Sequence, residues 1–213
     1  MAARDYGQYS GITRAMELVG ERWALLIVRD LLVGPRRYSE LAAGLPRSPS
    51  NILAARLKEL QAAGVLRRAP RSRVIVYELT PYGRELEPVV LALGAWGFKA
   101  MGEPRQEQII TPDSMTIDLR TAFRSDVASA LPATAYAGRF GSTELLIRVD
   151  GRALDVTPGD GPADLAFVAG AGIRRLISGE LAPDRAIATG VVEVLRGPGG
   201  LLERFASTFH LAA

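Results

Sequence analysis

The sequence predicts an α+β protein in two parts: four helices, a β-hairpin and a further helix, followed by an antiparallel sheet with covering helices. Three observations carry this. Apolar residues recur at helical spacing through the first hundred positions, interrupted by two β-rich runs around Pro70 to Arg73. A polar stretch bracketed by prolines, GEPRQEQIITP from Gly102 to Pro112, then breaks the pattern. Beyond it, strands of period two mix with short helices. At 213 residues the chain exceeds the roughly 100–150 of a typical domain. We expect a first domain over 1–103, a linker over 104–111 and a second domain over 112–213.

In the first half, Ile12 to Val19 reads as a short helix and Trp23 to Leu32 as a second, apolar on most faces and therefore central. Gly34 and Pro35 end it. Tyr38 to Ala43 is a third, stopped by Gly44 and Pro46. A fourth begins near Ser48-Pro49-Ser50, where serine can cap and proline suits a first turn, and runs to Ala63 before Gly64. Val65 to Ala69 and Val74 to Leu79 form a hairpin with a basic tip. Thr80-Pro81 then caps a long helix ending near Met101. This order is the winged variant of helix-turn-helix. The last helix carries Leu86, Val89, Val90, Leu93 and Trp96 at three- and four-residue steps, more apolar stripe than a small domain can cover. We expect a homodimer interface there, with Ile12 contributing.

In the second half, Ala133 to Phe140, Thr143 to Asp150, Asp164 to Ala169 and Gly190 to Arg196 are strand candidates. Ile173 to Ser178, Ala182 to Thr189 and Leu201 to Phe209 are helix candidates, and Met115 to Phe123 is ambiguous. Turns at Gly141-Ser142 and Asp150-Gly151 suggest an antiparallel arrangement.

Composition narrows function. Without cysteine there are no disulfides, thiolate metal sites, iron–sulfur clusters or thiol switches. The one histidine, His210, has no assigned catalytic partner, and the aspartates show no pairing that marks acid–base work. We therefore expect no enzyme activity, metal or cofactor. No apolar run approaches the roughly 18 residues of a membrane span, and MAARDYGQYS lacks a secretory apolar core, so the expectation is a cytoplasmic protein with no membrane partner.

The net charge of +3 hides an asymmetry: residues 1–103 carry 15 basic and 10 acidic side chains, and the remainder 11 and 13. Between Arg47 and Arg73 seven bases face one acid, Glu59. A basic block inside a patterned segment points to a polyanion, with double-stranded DNA first. On the fourth helix Leu53, Leu57 and Leu60 cluster inward, leaving Ser48, Asn51, Ala55, Lys58 and Glu59 outward. Ser48, Ser50, Asn51 and Ala54 or Ala55 are candidates for base edges, and asparagine can pair with adenine. Arg56 and Lys58 suit phosphates, although Arg56 sits at the edge of the buried face and could instead form an internal ion pair. Arg71 and Arg73 at the hairpin tip suit a minor groove. Arg36, Arg37 and Tyr38 open the third helix, a position suited to phosphate.

Three ordered blocks, ERWALLIVRDLLVGPRRYSEL, LPRSPSNILAARLKELQAAGVLRR and VYELTPYGRELEPVVLALGAWG, make residues 7–98 resemble HxlR-type winged helix-turn-helix transcriptional regulators. The resemblance implies a homodimer on a pseudo-palindromic operator, with Ser48 to Ala63 as recognition helix and Pro70 to Arg73 as wing tip. Two departures stand out. Arg47-Ser48-Pro49 replaces the usual Gly-Ile-Ser, and Ser10 stands where many relatives carry a redox-sensing cysteine.

The string DLAFVAGAGIRRLISGELAPDRAIATGVVEVLRGPGGLLERFASTF makes residues 112–210 resemble sterol-carrier-protein-type domains. That implies a sheet curved beside helices, often around a tunnel for lipid-like ligands, here with Leu145, Ile147, Phe167, Ile173, Leu176, Ile177, Leu181 and Phe205 as its lining. Any one of these could equally fill a core. The expected function is a regulator controlled by an apolar small molecule. The alternatives are a lipid-binding protein with a non-regulatory basic half, or a C-terminal half that only braces the dimer.

Overall fold

The computed structural model describes residues 5–105 and 107–211, so part of the stretch read for a leader lies outside the described residues. The chain divides into two compact units, one up to Val90 and one from Leu91 onward.

The first unit contains helices α1 (Gly11–Val19), α2 (Ala24–Val33), α3 (Tyr38–Gly44) and α4 (Ser50–Ala62), strands β1 (Leu66–Arg71) and β2 (Val74–Leu79), and α5 (Pro81–Arg84). Helix α2 is central because Ile27, Val28 and Leu31 are wholly buried, packed with Leu41, Leu53 and Leu57 of the surrounding helices. Helix α4 starts at Ser50, within the expected Ser48-Pro49-Ser50 start and two residues after the Ser48 that the resemblance implies. Pro49 holds φ −58° and ψ 139° at the cap, an extended conformation that cannot belong to the helix. The helix closes at Gly64, where φ is +72°, with the Val65 N–H returning to the Leu60 carbonyl at 3.0 Å.

The hairpin is antiparallel from Leu66↔Leu79 to Arg71↔Val74, leaving Ser72 and Arg73 as a two-residue turn. Arg36 pairs with Tyr77 through both backbone hydrogen bonds, adding a short third rung to the sheet. The long helix expected from Pro81 is broken: α5 ends at Arg84, and α6 runs over Glu87–Phe98. Pro88 explains the break, since it cannot donate back to the preceding turn and its ring crowds the carbonyl there. Thr80 caps α5 by accepting the Gly83 N–H at 3.1 Å while donating to the Gly64 carbonyl. Gly83 itself has no substitute, because a Cβ there would lie 1.9 Å from the Val65 carbonyl oxygen.

The second unit carries α7 (Pro112–Ala122), α8 (Ser125–Ala128), β3 (Thr134–Phe140), β4 (Thr143–Asp150), β5 (Ala153–Pro158), β6 (Leu165–Ala169), α9 (Ile173–Ile177), α10 (Pro183–Ala188), β7 (Val192–Arg196) and α11 (Gly200–Thr208). The ambiguous stretch is helix α7, started by a reciprocal cap between Thr111 and Ser114 with Pro112 in the first turn.

The sheet order is β5-β4-β3-β6-β7, and the expected all-antiparallel sheet is corrected to a mixed one, because β6 lies parallel to β3. The reason is the route of the chain after β5, a strand absent from the sequence reading. Residues 159–164 cross one face of the sheet, with the Gly159 N–H on the Glu144 carbonyl, Gly161 against the Leu146 side chain and the Asp164 N–H on the Ala135 carbonyl. The chain therefore enters β6 running the same way as β3. The crossing also accounts for buried Leu146, which alternation places on the face opposite Leu145 and Ile147. On that other face the core joins Tyr136, Phe140, Phe167, Phe205 and Phe209 through edge-on and tilted ring contacts.

Candidate nucleic-acid interface

Helix α4 presents one apolar face inward through Leu53, Leu57 and Leu60. The opposite face carries Asn51, Lys58 and Ala62, all exposed, with half-buried Ala54 and Ala55 between them. Small side chains between an amide and an amine let a helix lie close to base edges in a groove about 12 Å wide. Ser50 is exposed at the helix start, where its carbonyl accepts the Tyr38 hydroxyl at 2.9 Å and so ties α3 to α4.

Two residues expected on this surface point elsewhere. Arg56 has a side chain only 12% exposed and forms ion pairs with Glu21 at 3.1 Å and with Glu59. It clamps α4 to the chain ahead of α2 and does not stand out into solvent. The Ser48 hydroxyl is shielded from solvent and has no hydrogen-bond partner among the described residues. Its expected base contact is not available in this arrangement.

The basic residues around α4 separate by what holds them. Arg37 donates to Glu40 from Nε at 3.1 Å and Nη2 at 2.9 Å, while its backbone N–H meets the same carboxylate at 2.6 Å. The backbone bond, then the guanidinium, holds the Glu40 carboxyl below its usual value. Arg36 donates to the Pro35 carbonyl at 3.0 Å. In the wing, buried Glu78 accepts Arg67 at 2.7 Å and Arg71 at 3.1 Å. Arg67 first, then Arg71, keeps this carboxyl below the ordinary range. Arg67 is directly opposite Glu78, whereas Arg71 is paired with Val74 and must reach back along the hairpin. The Arg71 head is thus drawn away from the tip, and exposed Arg73 occupies the turn. Arg68 lies over the Tyr77 ring at 6.0 Å.

Along α6, Val89, Leu93 and Trp96 recur at helical spacing and remain exposed, Trp96 at 74%. Ile12 on α1 is 79% exposed. Leu86 is half-buried and Val90 is buried within its own chain, which removes Val90 from the exposed stripe.

In the second unit, Leu145, Ile147, Phe167, Leu176 and Phe205 are packed into the core, with Leu181 partly buried against it. Only Ile173 and Ile177 of the expected lining border a cleft, an open-sided space of about 850 Å³. Its other walls are the irregular chain at 100–105 and 108–110, the first turns of α7, the β3–β4 turn and the start of α9. Arg174, half-buried at its side, makes a two-pronged pair with Glu180 at 2.6 and 2.8 Å. Sequence reasoning missed this space because half its wall has no periodic structure.

Three helices, a basic hairpin and a helix with a small, polar outer face define a winged helix-turn-helix DNA-binding protein, here joined to a distinct mixed-sheet unit. The chain belongs to the HxlR-like helix-turn-helix family, whose model matches residues 18–105. It is 40% identical over 86 residues to YvaP, an uncharacterized HTH-type transcriptional regulator of Bacillus subtilis, covering 39% of this chain and 80% of that one. An uncharacterized HTH-type regulator of Mycobacterium tuberculosis is 40% identical over 98 residues, 44% of this chain and 60% of its own. The solved structure of the HTH-type regulator YtcD is 35% identical, covers 43% of this chain and 97% of its own, and has a TM-score of 0.41. These curated relatives are named as uncharacterized HTH-type transcriptional regulators, and none of the three is named as an enzyme.

Proposed function

We propose that this protein is a sequence-specific transcriptional regulator that acts in the cytoplasm as a homodimer on a pseudo-palindromic operator. Its first domain, 1–103, reads DNA, and its second, 112–213, binds an apolar small molecule that biases DNA affinity. The observation that carries the DNA reading is the outer face of α4, where Asn51, Ala54, Ala55 and Lys58 form a low, polar surface beside a hairpin rich in arginine. Asn51 and Ser50 read base edges, Lys58 meets phosphate, and Arg73 at the hairpin tip enters a minor groove, where Arg71 joins it when the DNA competes with Glu78. The exposed α6 stripe with Ile12 is the dimer contact. Effector control requires two dimer arrangements that the ligand distinguishes energetically.

The test is fluorescence anisotropy with DNA fragments enriched from a random library, titrated with salt. Binding should weaken steeply as salt rises, and the combined Asn51→Ala, Lys58→Ala, Arg71→Ala variant should lose it. Salt-insensitive binding that survives the triple change refutes the reading. That outcome would favour a binding protein for hydrophobic ligands with a non-regulatory basic domain, which the C-terminal cleft supports on its own.

A further inference from the structure

We propose that the C-terminal cleft takes an apolar molecule bearing one carboxylate, its hydrocarbon lying on Met115, Phe140, Ile173 and Ile177 and its carboxylate meeting Arg174. The inference rests on the reading of this domain as the effector-binding part and names the chemistry of that site. A volume of about 850 Å³ falls within the roughly 300–1,000 Å³ of small-molecule sites. The floor is the apolar edge of the unit's core. At the mouth, Met101 and Ile109 leave large apolar side chains 50% and 59% exposed, surface that a bound hydrocarbon would cover.

The charged groups at this cleft are unequal in weight. Glu103, Arg105 and Asp118 are exposed, so water and salt screen them. Arg174 has a side chain only 14% exposed. Glu180 engages Nη1 and Nη2 once each, and a guanidinium has five N–H donors, so donors remain for a second acceptor. A carboxylate uses them in charge-assisted hydrogen bonds, an alcohol gains much less and an ammonium gains nothing. The irregular wall at 100–105 and 108–110 belongs to the chain that leaves α6, and it is held at its far end by the Thr143 hydroxyl donating to the Ile110 carbonyl at 2.7 Å. A ligand here therefore contacts the segment that continues the proposed dimer helix.

The experiment is isothermal titration calorimetry of the full chain with dodecanoate, dodecanol and dodecyltrimethylammonium. Dodecanoate should bind about tenfold more tightly than dodecanol, the ratio expected of one charge-assisted hydrogen bond. Arg174→Gln should bring the two to parity, and Glu180→Gln, which removes the competing charge and frees one donor, should widen the preference. Ser142→Trp, placed in an exposed turn at the cleft, should abolish binding of both while leaving the thermal transition unchanged, which keeps the test valid if Arg174→Gln fails to fold. Equal binding of dodecanoate and dodecanol, a preference that Glu180→Gln leaves unchanged, or no binding of any probe overturns the proposal. Salt-dependent DNA binding, measured separately, decides the regulator reading whichever way this result falls.

Discussion

Arg56 and Lys58 lie two positions apart on α4, carry the same charge and should fail in opposite ways when removed. Arg56 is 12% exposed and bridges Glu21 and Glu59, so Arg56→Ala strips the partner from two carboxylates at the junction of α4 with the chain before α2. Exposed pairs contribute about 0–1 kcal/mol, and breaking a fully buried pair costs about 3–5 kcal/mol. The partial exposure of Glu21 and Glu59 places this cost between them, at about 2 kcal/mol. In a unit of this size that lowers the melting temperature by about 10 °C. Lys58 is exposed on the opposite side of the helix, and its removal should leave the melting temperature within about 2 °C. The DNA measurement inverts the ranking. Removing one phosphate-binding cation reduces the slope of log K against log salt by about 0.9. Lys58→Ala should show that reduction, whereas Arg56→Ala, assayed below its melting point, should keep the parent slope. Calorimetry and anisotropy between 50 and 200 mM salt measure both quantities. A slope change from Arg56→Ala without destabilisation, or destabilisation from Lys58→Ala without a slope change, would refute the assignment.

Other perturbations follow from particular side-chain and backbone neighbours. Gly83→Ala places a Cβ on the Val65 carbonyl oxygen, with backbone on both sides, and should cost about 3 kcal/mol or more, read as a lower urea midpoint. Glu40, Glu78 and Glu180 are each held below the ordinary 4.5 by arginine partners, so each stabilises the fold above that pH, and the benefit disappears as pH falls through the lower folded value. Melting temperature should therefore drop as pH falls below the ordinary 4.5, and Glu78→Gln should flatten part of that drop; parallel curves for the two proteins would contradict the clamp. Trp96→Asp combined with Leu93→Asp should convert the proposed dimer to a monomer in light scattering, with an unchanged circular dichroism spectrum.

Much of the first unit was legible because its signals are local. Helical periodicity placed α1 to α4, and Gly34, Gly44 and Gly64 marked their ends within two residues. Where reading failed, the deciding interaction was not local in sequence. Pro88 stops the helix that Thr80-Pro81 begins, yet the apolar spacing continues through it and suggested one element. Arg56 lies at the boundary of the buried arc, where helical geometry cannot choose between solvent and Glu21. Arg71 sits next to the turn in sequence but reaches back to Glu78. In the second unit β5 was missed because ALDVTP is an edge strand with weak alternation, and without β5 the parallel entry of β6 was invisible. The apolar residues expected to line a tunnel are marked in the sequence only by their hydrophobicity, which a solid core satisfies as well. Spare volume instead occurs beside an irregular segment that no periodicity marks.

The absence of cysteine makes one measurement especially direct, since a single introduced thiol can carry a DNA-cleaving iron chelate. Attached at Asn51→Cys, the chelate should cut enriched operator DNA in two clusters about one helical turn apart, as expected when α4 of each protomer enters the major groove. The same variant on DNA that lacks the enriched site should leave no such clusters. Absent or scattered cutting of the enriched site from position 51 would contradict the account.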